Sequence, residues 1–247
     1  MKKLIKMQKN LKDVNFTYYS SYYSSYNSSL EESLIKHADT IQYLRINWNA
    51  PNTRILSYLL NLLSLEIYME RSNSLGLTHS TLLSLPILRI LKAEQVPSEF
   101  LANLIKNTKG HLSEISLYYI VVDIEKLIQA IYQNCPNLRY LKLSLRSNFN
   151  NFNSVISTEF EKLLINCQFL NGLVIDIQNT NEFISWDKLF EILAKSSPIN
   201  LFKFKFYPSN AIELEHLKSF FDNWKNRKPM LLKLFSYSKQ TTIGRFN

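Results

Sequence analysis

An α/β solenoid with an inner parallel sheet and outer helices is the fold class this sequence predicts, and three observations predict it. The pattern L-x-x-L-x-L recurs nine times along 247 residues, with start-to-start spacings of 21 to 32. Within a copy, the L-x-L step sets two apolar side chains on one face of a strand, because successive strand residues alternate. Between copies the apolar spacing changes to i, i+3, i+4, the helical period. One such strand cannot shield its apolar face alone, so neighbouring copies must stack.

The copies start at Leu11, Ile41, Leu62, Leu88, Leu112, Leu138, Leu170, Leu201 and Leu231. Their second and third apolar positions are Val14/Phe16, Leu44/Ile46, Leu65/Ile67, Leu91/Ala93, Ile115/Leu117, Leu141/Leu143, Leu173/Ile175, Phe204/Phe206 and Leu234/Ser236. The spacings are near or slightly above the leucine-rich-repeat range of about 20–29, so a leucine-rich-repeat horseshoe is expected. Helices are expected over 98–109 and 123–134. Thr158 and Glu161 read as a capping box opening a third, with Phe160, Leu163, Leu164 and Cys167 toward the strands. Ser185 reads as the cap of a fourth, carrying Trp186, Leu189, Phe190 and Leu193. A fifth is expected over 213–226, with Leu214, Leu217, Phe220, Phe221 and Trp224 inward. The solenoid is expected to span 1–235, beginning in mid-repeat, with irregular insertions near 18–29 and 70–84. A short polar tail, 236–247, follows.

Composition narrows the function. The chain is 46% hydrophobic and 20% charged, as in a soluble globular protein. Four glycines leave little for phosphate-cradling loops. A net charge of +9 favours an acidic partner, nucleic acid included. There is no polybasic run or RNA-binding motif, and lysines that merely solvate outer helices would give the same balance. The start, MKKLIKMQKN, lacks the apolar stretch of a signal peptide. No apolar run approaches the roughly 18 residues that span a membrane. Cytosol or nucleus is therefore the expected compartment. Cys135 and Cys167 each lie three residues before a repeat leucine, and both read as buried structural thiols.

The segments NCPNLRYLKL, LLINCQFLNGLVIDI, SWDKLFEILAKSSPINLFKFKFY and LKSFFDNWKNRKPMLL resemble the fungal F-box/leucine-rich-repeat family. The resemblance runs over 11–234 and is strongest over 130–232. It implies repeats that hold a protein destined for ubiquitination, and an N-terminal F-box that docks on the adaptor of a cullin-RING ligase. The ten residues ahead of Leu11 are too few for that helical module. The ligase adaptor is thus an expected partner only where an F-box lies upstream.

Positions flanking the buried leucines should line the concave face. They are Tyr43, Arg45, Trp48, Lys92, Tyr118, Tyr119, Tyr140, Lys142, Lys203, Lys205 and Tyr207, continued by Lys233 and Tyr237. Interleaved aromatic and basic groups suit a protein partner with an acidic face. The alternative is a single-stranded nucleic acid stacked on the aromatics. Glu66, Glu94, Glu114 and Asp176 interrupt the basic stripe. No enzyme, cofactor or metal is expected: His37, His79, His111 and His216 are scattered, and no nucleophile-elbow, Walker or dinucleotide motif occurs.

Overall fold

The computed structural model describes residues 7–16, 32–48, 53–69, 83–120, 124–146, 154–178, 186–208 and 211–235. Among them nine strands form one parallel sheet in strict chain order. The strands are β1 (Asp13–Phe16), β2 (Tyr43–Trp48), β3 (Ser64–Met69), β4 (Ile90–Glu94), β5 (Glu114–Ile120), β6 (Tyr140–Arg146), β7 (Gly172–Gln178), β8 (Lys203–Tyr207) and β9 (Leu231–Leu234). On the face that carries the repeat leucines pack α1 (Ser98–Lys106), α2 (Ile124–Asn134), α3 (Ser154–Asn166), α4 (Trp186–Ser196) and α5 (Leu214–Trp224), and a helical turn at 32–35 buries Leu34 ahead of β2. A 3-10 turn at Thr53–Ser57 takes the helix position between β2 and β3. The expected insertion at 18–29, most of that at 70–84, Ser185 and the tail 236–247 lie outside the described residues.

Repeats are fastened at the foot of each strand by shared carbonyls. The Ser113 carbonyl accepts from the N–H groups of Arg139 (2.8 Å) and Tyr140 (3.1 Å). The Arg139 carbonyl accepts from Asn171 and Gly172 in turn, and the Asn171 carbonyl from Phe202 and Lys203. A side-chain clamp reinforces this ladder. The amides of Asn61, Asn137 and Asn200, each one residue before a repeat leucine, donate to the carbonyls of Asp39 (2.9 Å), Gly110 (3.1 Å) and Gln168 (3.4 Å) in the preceding repeat.

The first eight copies stack with their second apolar positions in one row, from Val14 through Leu141 to Phe204. The ninth does not follow the expected phase. Leu232 and Leu234, rather than Leu234 and Ser236, pair with Phe204 and Phe206. The copy is shifted by two residues, and Leu231 takes the exposed position beside Lys203. A two-residue shift keeps the faces of a strand, so Lys233 still lies opposite Lys205 on the inner side.

Helix termini also depart from expectation. α3 begins at Ser154, so Thr158 and Glu161 are interior and form no opening box. Glu161 instead accepts from Ser196 (2.7 Å) and pairs with Lys195 (3.6 Å) of the following helix. α1 stops at Lys106, short of 109, because Asn107 turns its amide back onto the Asn103 carbonyl (2.9 Å). Asn134 and Asn166 make the same bond at the ends of α2 and α3. In α5, Phe220 and Trp224 are buried, but Leu214 and Phe221 are exposed, because only one neighbouring helix covers them.

Cys135 and Cys167 are free and fully buried. Burial pushes both thiols up, Cys167 to about 12. Thr108, directly after Asn107 at the end of α1, occupies the corresponding place and is equally buried. The site therefore selects a small side chain rather than sulfur chemistry.

The last repeats rest on an aromatic cluster. Phe190 stacks on Phe220 (4.8 Å), Phe204 meets Trp224 edge-on (5.2 Å), and Trp186 lies 5.7 Å from Phe206. Arg227 closes it. Its guanidinium lies over Trp224 (4.4 Å) and donates to the carbonyls of Ala194 (3.0 Å), Leu193 (3.4 Å) and Ser197, capping the end of α4 from the next repeat.

Three substitutions at two positions test this account by urea unfolding. Leu141 is fully buried in the central core row, and Leu141→Ala lowers stability by about 2–5 kcal/mol. Arg227→Ala lowers it by about 1–3 kcal/mol, because the Ala194 and Ser197 carbonyls lose their donor while that of Leu193 keeps only the Ser197 N–H. Arg227→Lys restores only part of that, because an ammonium cannot reproduce the planar fork. Equal stability of the Lys and wild-type proteins contradicts the capping role.

Candidate functional site on the inner face

Strand alternation turns every second residue away from the core, and register aligns these residues into three rows. The first runs Tyr43, Ser64, Ile90, Glu114, Tyr140, Gly172, Lys203, Leu231. The second runs Arg45, Glu66, Lys92, Ser116, Lys142, Val174, Lys205, Lys233. The third includes Tyr68, Glu94 and Tyr118, then Ser144, Asp176 and Tyr207. Nine of the eleven residues singled out from sequence thus fall in the inner-face rows; Trp48 and Tyr119 do not.

Trp48 pairs with Met69 in the register; its side chain and Tyr237 fall outside the described residues. Tyr118 and Tyr119 could not both leave the core from a regular strand. A register shift between Leu117 and Ile120 resolves the conflict, with Tyr119 in the left-handed region at φ 54°. The extra residue lets Ile120 pair with Leu145, and Tyr119 stands at the bulge.

At the centre, large side chains lie over a floor of small ones. Ser116, Val174, Ser144 and Asp176 are buried despite facing away from the helices. Gly172 leaves room for its neighbour: a Cβ there would meet the Tyr140 ring at 3.0 Å. Above this floor Tyr118, Tyr140, Lys142 and Tyr207 are half-buried. The Lys142 ammonium sits 4.2 Å from the Tyr118 ring centre and 5.7 Å from that of Tyr207. Burial and the neighbouring Lys205 lower its proton affinity, while Asp176 opposes them. Burial likewise raises the Tyr118 and Tyr140 phenols. Tyr207 stacks on Phe235 at 4.6 Å.

Toward the N-terminal strands the charges satisfy one another. Arg45 donates to the Tyr68 hydroxyl (2.6 Å), lies over its ring (4.9 Å) and pairs with Glu66 (3.6 Å). Tyr68 donates to Glu66. Glu94 is raised by burial and by Glu66. Glu66 is thus tied into a polar cluster with Arg45 and Tyr68, and Glu94 stands in the same row as Tyr68. Sequence reading missed Tyr68, although its place one residue after Ile67 and two after Glu66 marked it as outward.

Among the described residues no group of three or more His, Cys, Asp or Glu could hold a metal, and no helix is long and apolar enough to cross a membrane.

The Tyr68 phenol is pushed up to about 12, first by burial and then by its bond to Glu66. An exposed tyrosine titrates near 10, so between about pH 10 and 12 the folded state retains a proton that the unfolded state releases. Stability is full below the unfolded value and declines as pH rises toward the folded one. Tyr68→Phe removes this contribution. Thermal midpoints that fall less steeply above about pH 10 in the variant are the expected outcome.

No family model matches this sequence, and no curated protein matches it. Among solved structures, the chain is similar to the leucine-rich repeat-containing protein LegL7 from Legionella pneumophila, at a TM-score of 0.55 and 18% identity. The match covers 92% of this chain and 75% of that one. Strand order, register and this likeness together give the fold: an α/β leucine-rich-repeat solenoid with the sheet inside and the helices outside.

Proposed function

We propose that this chain is a non-catalytic recognition module that holds a protein partner on the inner face of its sheet. One observation carries the reading. Four half-buried aromatic and basic side chains, Tyr118, Tyr140, Lys142 and Tyr207, converge at the middle of the open face over a pre-formed floor. Central, partly shielded aromatic and cationic groups are where binding energy concentrates in protein interfaces. Their mutual contacts fix the rotamers beforehand, which reduces the ordering cost of association.

A finer reading draws on the F-box/leucine-rich-repeat resemblance of 130–232. In it the captured partner is a protein destined for ubiquitination, and an F-box encoded upstream supplies the ligase adaptor. A cytosolic or nuclear location belongs to the same reading, supported by two free buried thiols.

The test is partner capture from the native cell. Tyr140→Ala combined with Lys142→Glu is expected to abolish recovery of the wild-type partner while shifting the thermal midpoint by no more than a few degrees. Undiminished capture by that variant overturns the reading. For the finer version, a transcript extended upstream should bring the ligase adaptor with it; an adaptor that never co-purifies removes it.

A further inference from the structure

The charges of the inner face are unevenly compensated, and the imbalance points to the chemistry of what it holds. On β2 and β3, Arg45, Glu66 and Tyr68 neutralise one another. On β8 and β9 nothing comparable occurs. Lys203, Lys205 and Lys233 are exposed, and none has an ion-pair partner among the described residues. Lys205 and Lys233 are direct register partners, about 4.8 Å apart. Like charges placed directly opposite across two strands repel. Lys142 continues the same row two strands away, with the buried Val174 between. The nearest acid in register, Asp176, is buried and accepts from Ser144 (3.1 Å).

Resting on the recognition reading above, we propose that β6–β9 of the inner face bind an acidic peptide segment whose carboxylates pair with Lys142, Lys205 and Lys233, flanked by Tyr140 and Tyr207. The row from β6 to β9 spans about 14 Å, three inter-strand steps, which an extended peptide covers in roughly four residues. Two or three Asp or Glu side chains in such a stretch match the lysines. A nucleic-acid strand fits less well. Its phosphates continue past β6, where Glu114 is exposed and Glu94 half-buried on the same face.

Fluorescence anisotropy with three fluorescein-labelled peptides tests the proposal: alternating Glu/Ser, its Gln/Ser isostere, and Lys/Ser. The wild-type protein is expected to bind the Glu/Ser peptide, weakening as salt rises, and not the Gln/Ser peptide. Lys205→Glu with Lys233→Glu should weaken Glu/Ser binding by about tenfold or more and create binding to Lys/Ser. Lys106→Glu with Lys218→Glu makes the same change of net charge on the helix side, and should leave affinity within about twofold. Thermal melts check that both variants fold.

Several results overturn the proposal: no Glu/Ser binding, equal binding of Gln/Ser, indifference to Lys205→Glu/Lys233→Glu, or tighter binding of an oligothymidylate of equal charge at physiological salt. Native-partner capture separates the two levels. Capture lost with Tyr140→Ala/Lys142→Glu but kept with Lys205→Glu/Lys233→Glu sinks the acidic segment and leaves the recognition module standing. Capture kept in both sinks both.

Discussion

Parallel register across nine strands is the constraint on which the rest of the molecule depends. Strands β2 to β8 each start against a carbonyl of the preceding repeat that accepts two successive N–H groups, as Ser113 does for Arg139 and Tyr140. That fixes each strand to its predecessor at one spacing and in one phase. Because the side-chain period is 2, the same fastening decides both what is buried and what is displayed. Leu141 and Lys142 are neighbours in sequence, yet one is fully enclosed and the other stands half-buried on the open inner face. A slip of one residue anywhere would exchange them. The asparagines at 61, 137 and 200 act on the same variable, since each ties its turn to the turn one repeat earlier.

The bulge in β5 makes the cost of this strictness visible. Two adjacent tyrosines followed by isoleucine cannot all satisfy a regular strand: Tyr119 would enter the core row. The backbone instead places Tyr119 at positive φ, unusual for a bulky residue, and Ile120 regains register with Leu145. The consequence is local, and it borders the floor on which Tyr118 meets Lys142. Bulges recur where a strand re-aims a side chain, and here the re-aimed pair borders the candidate site.

Most of the architecture was legible in the sequence, because a two-residue period and a repeating spacing are local signals. Eight of nine copies fall in register with the expected leucines. The ninth was misphased because Leu231, Leu232 and Leu234 offer two apolar registers, and only pairing with β8 chooses between them. The start of α3 was missed because Thr158 and Glu161 fit a capping box locally, while the partners of Glu161 lie on the following helix. The Arg45–Glu66–Tyr68 cluster joins residues from two strands. Single residues announced such contacts only as "outward"; pairing across repeats made them a network.

The uncompensated lysines stand on the strands that border the aromatic cluster, and the two facts belong together. Cross-strand repulsion between Lys205 and Lys233 destabilises the end of the sheet by a few tenths of a kcal/mol or more, where β9 has only β8 to hold it. Beneath those strands Phe190, Phe204, Phe206, Phe220, Trp186 and Trp224 form a continuous set of ring contacts between 4.8 and 6.0 Å. Each aromatic pair contributes roughly 0.5–1.5 kcal/mol beyond its buried area, and Arg227 closes the layer from the next repeat. Packing of that magnitude outweighs the repulsion severalfold. The terminal repeats can therefore display like charges side by side, because their stability is drawn from the opposite face of the same two strands.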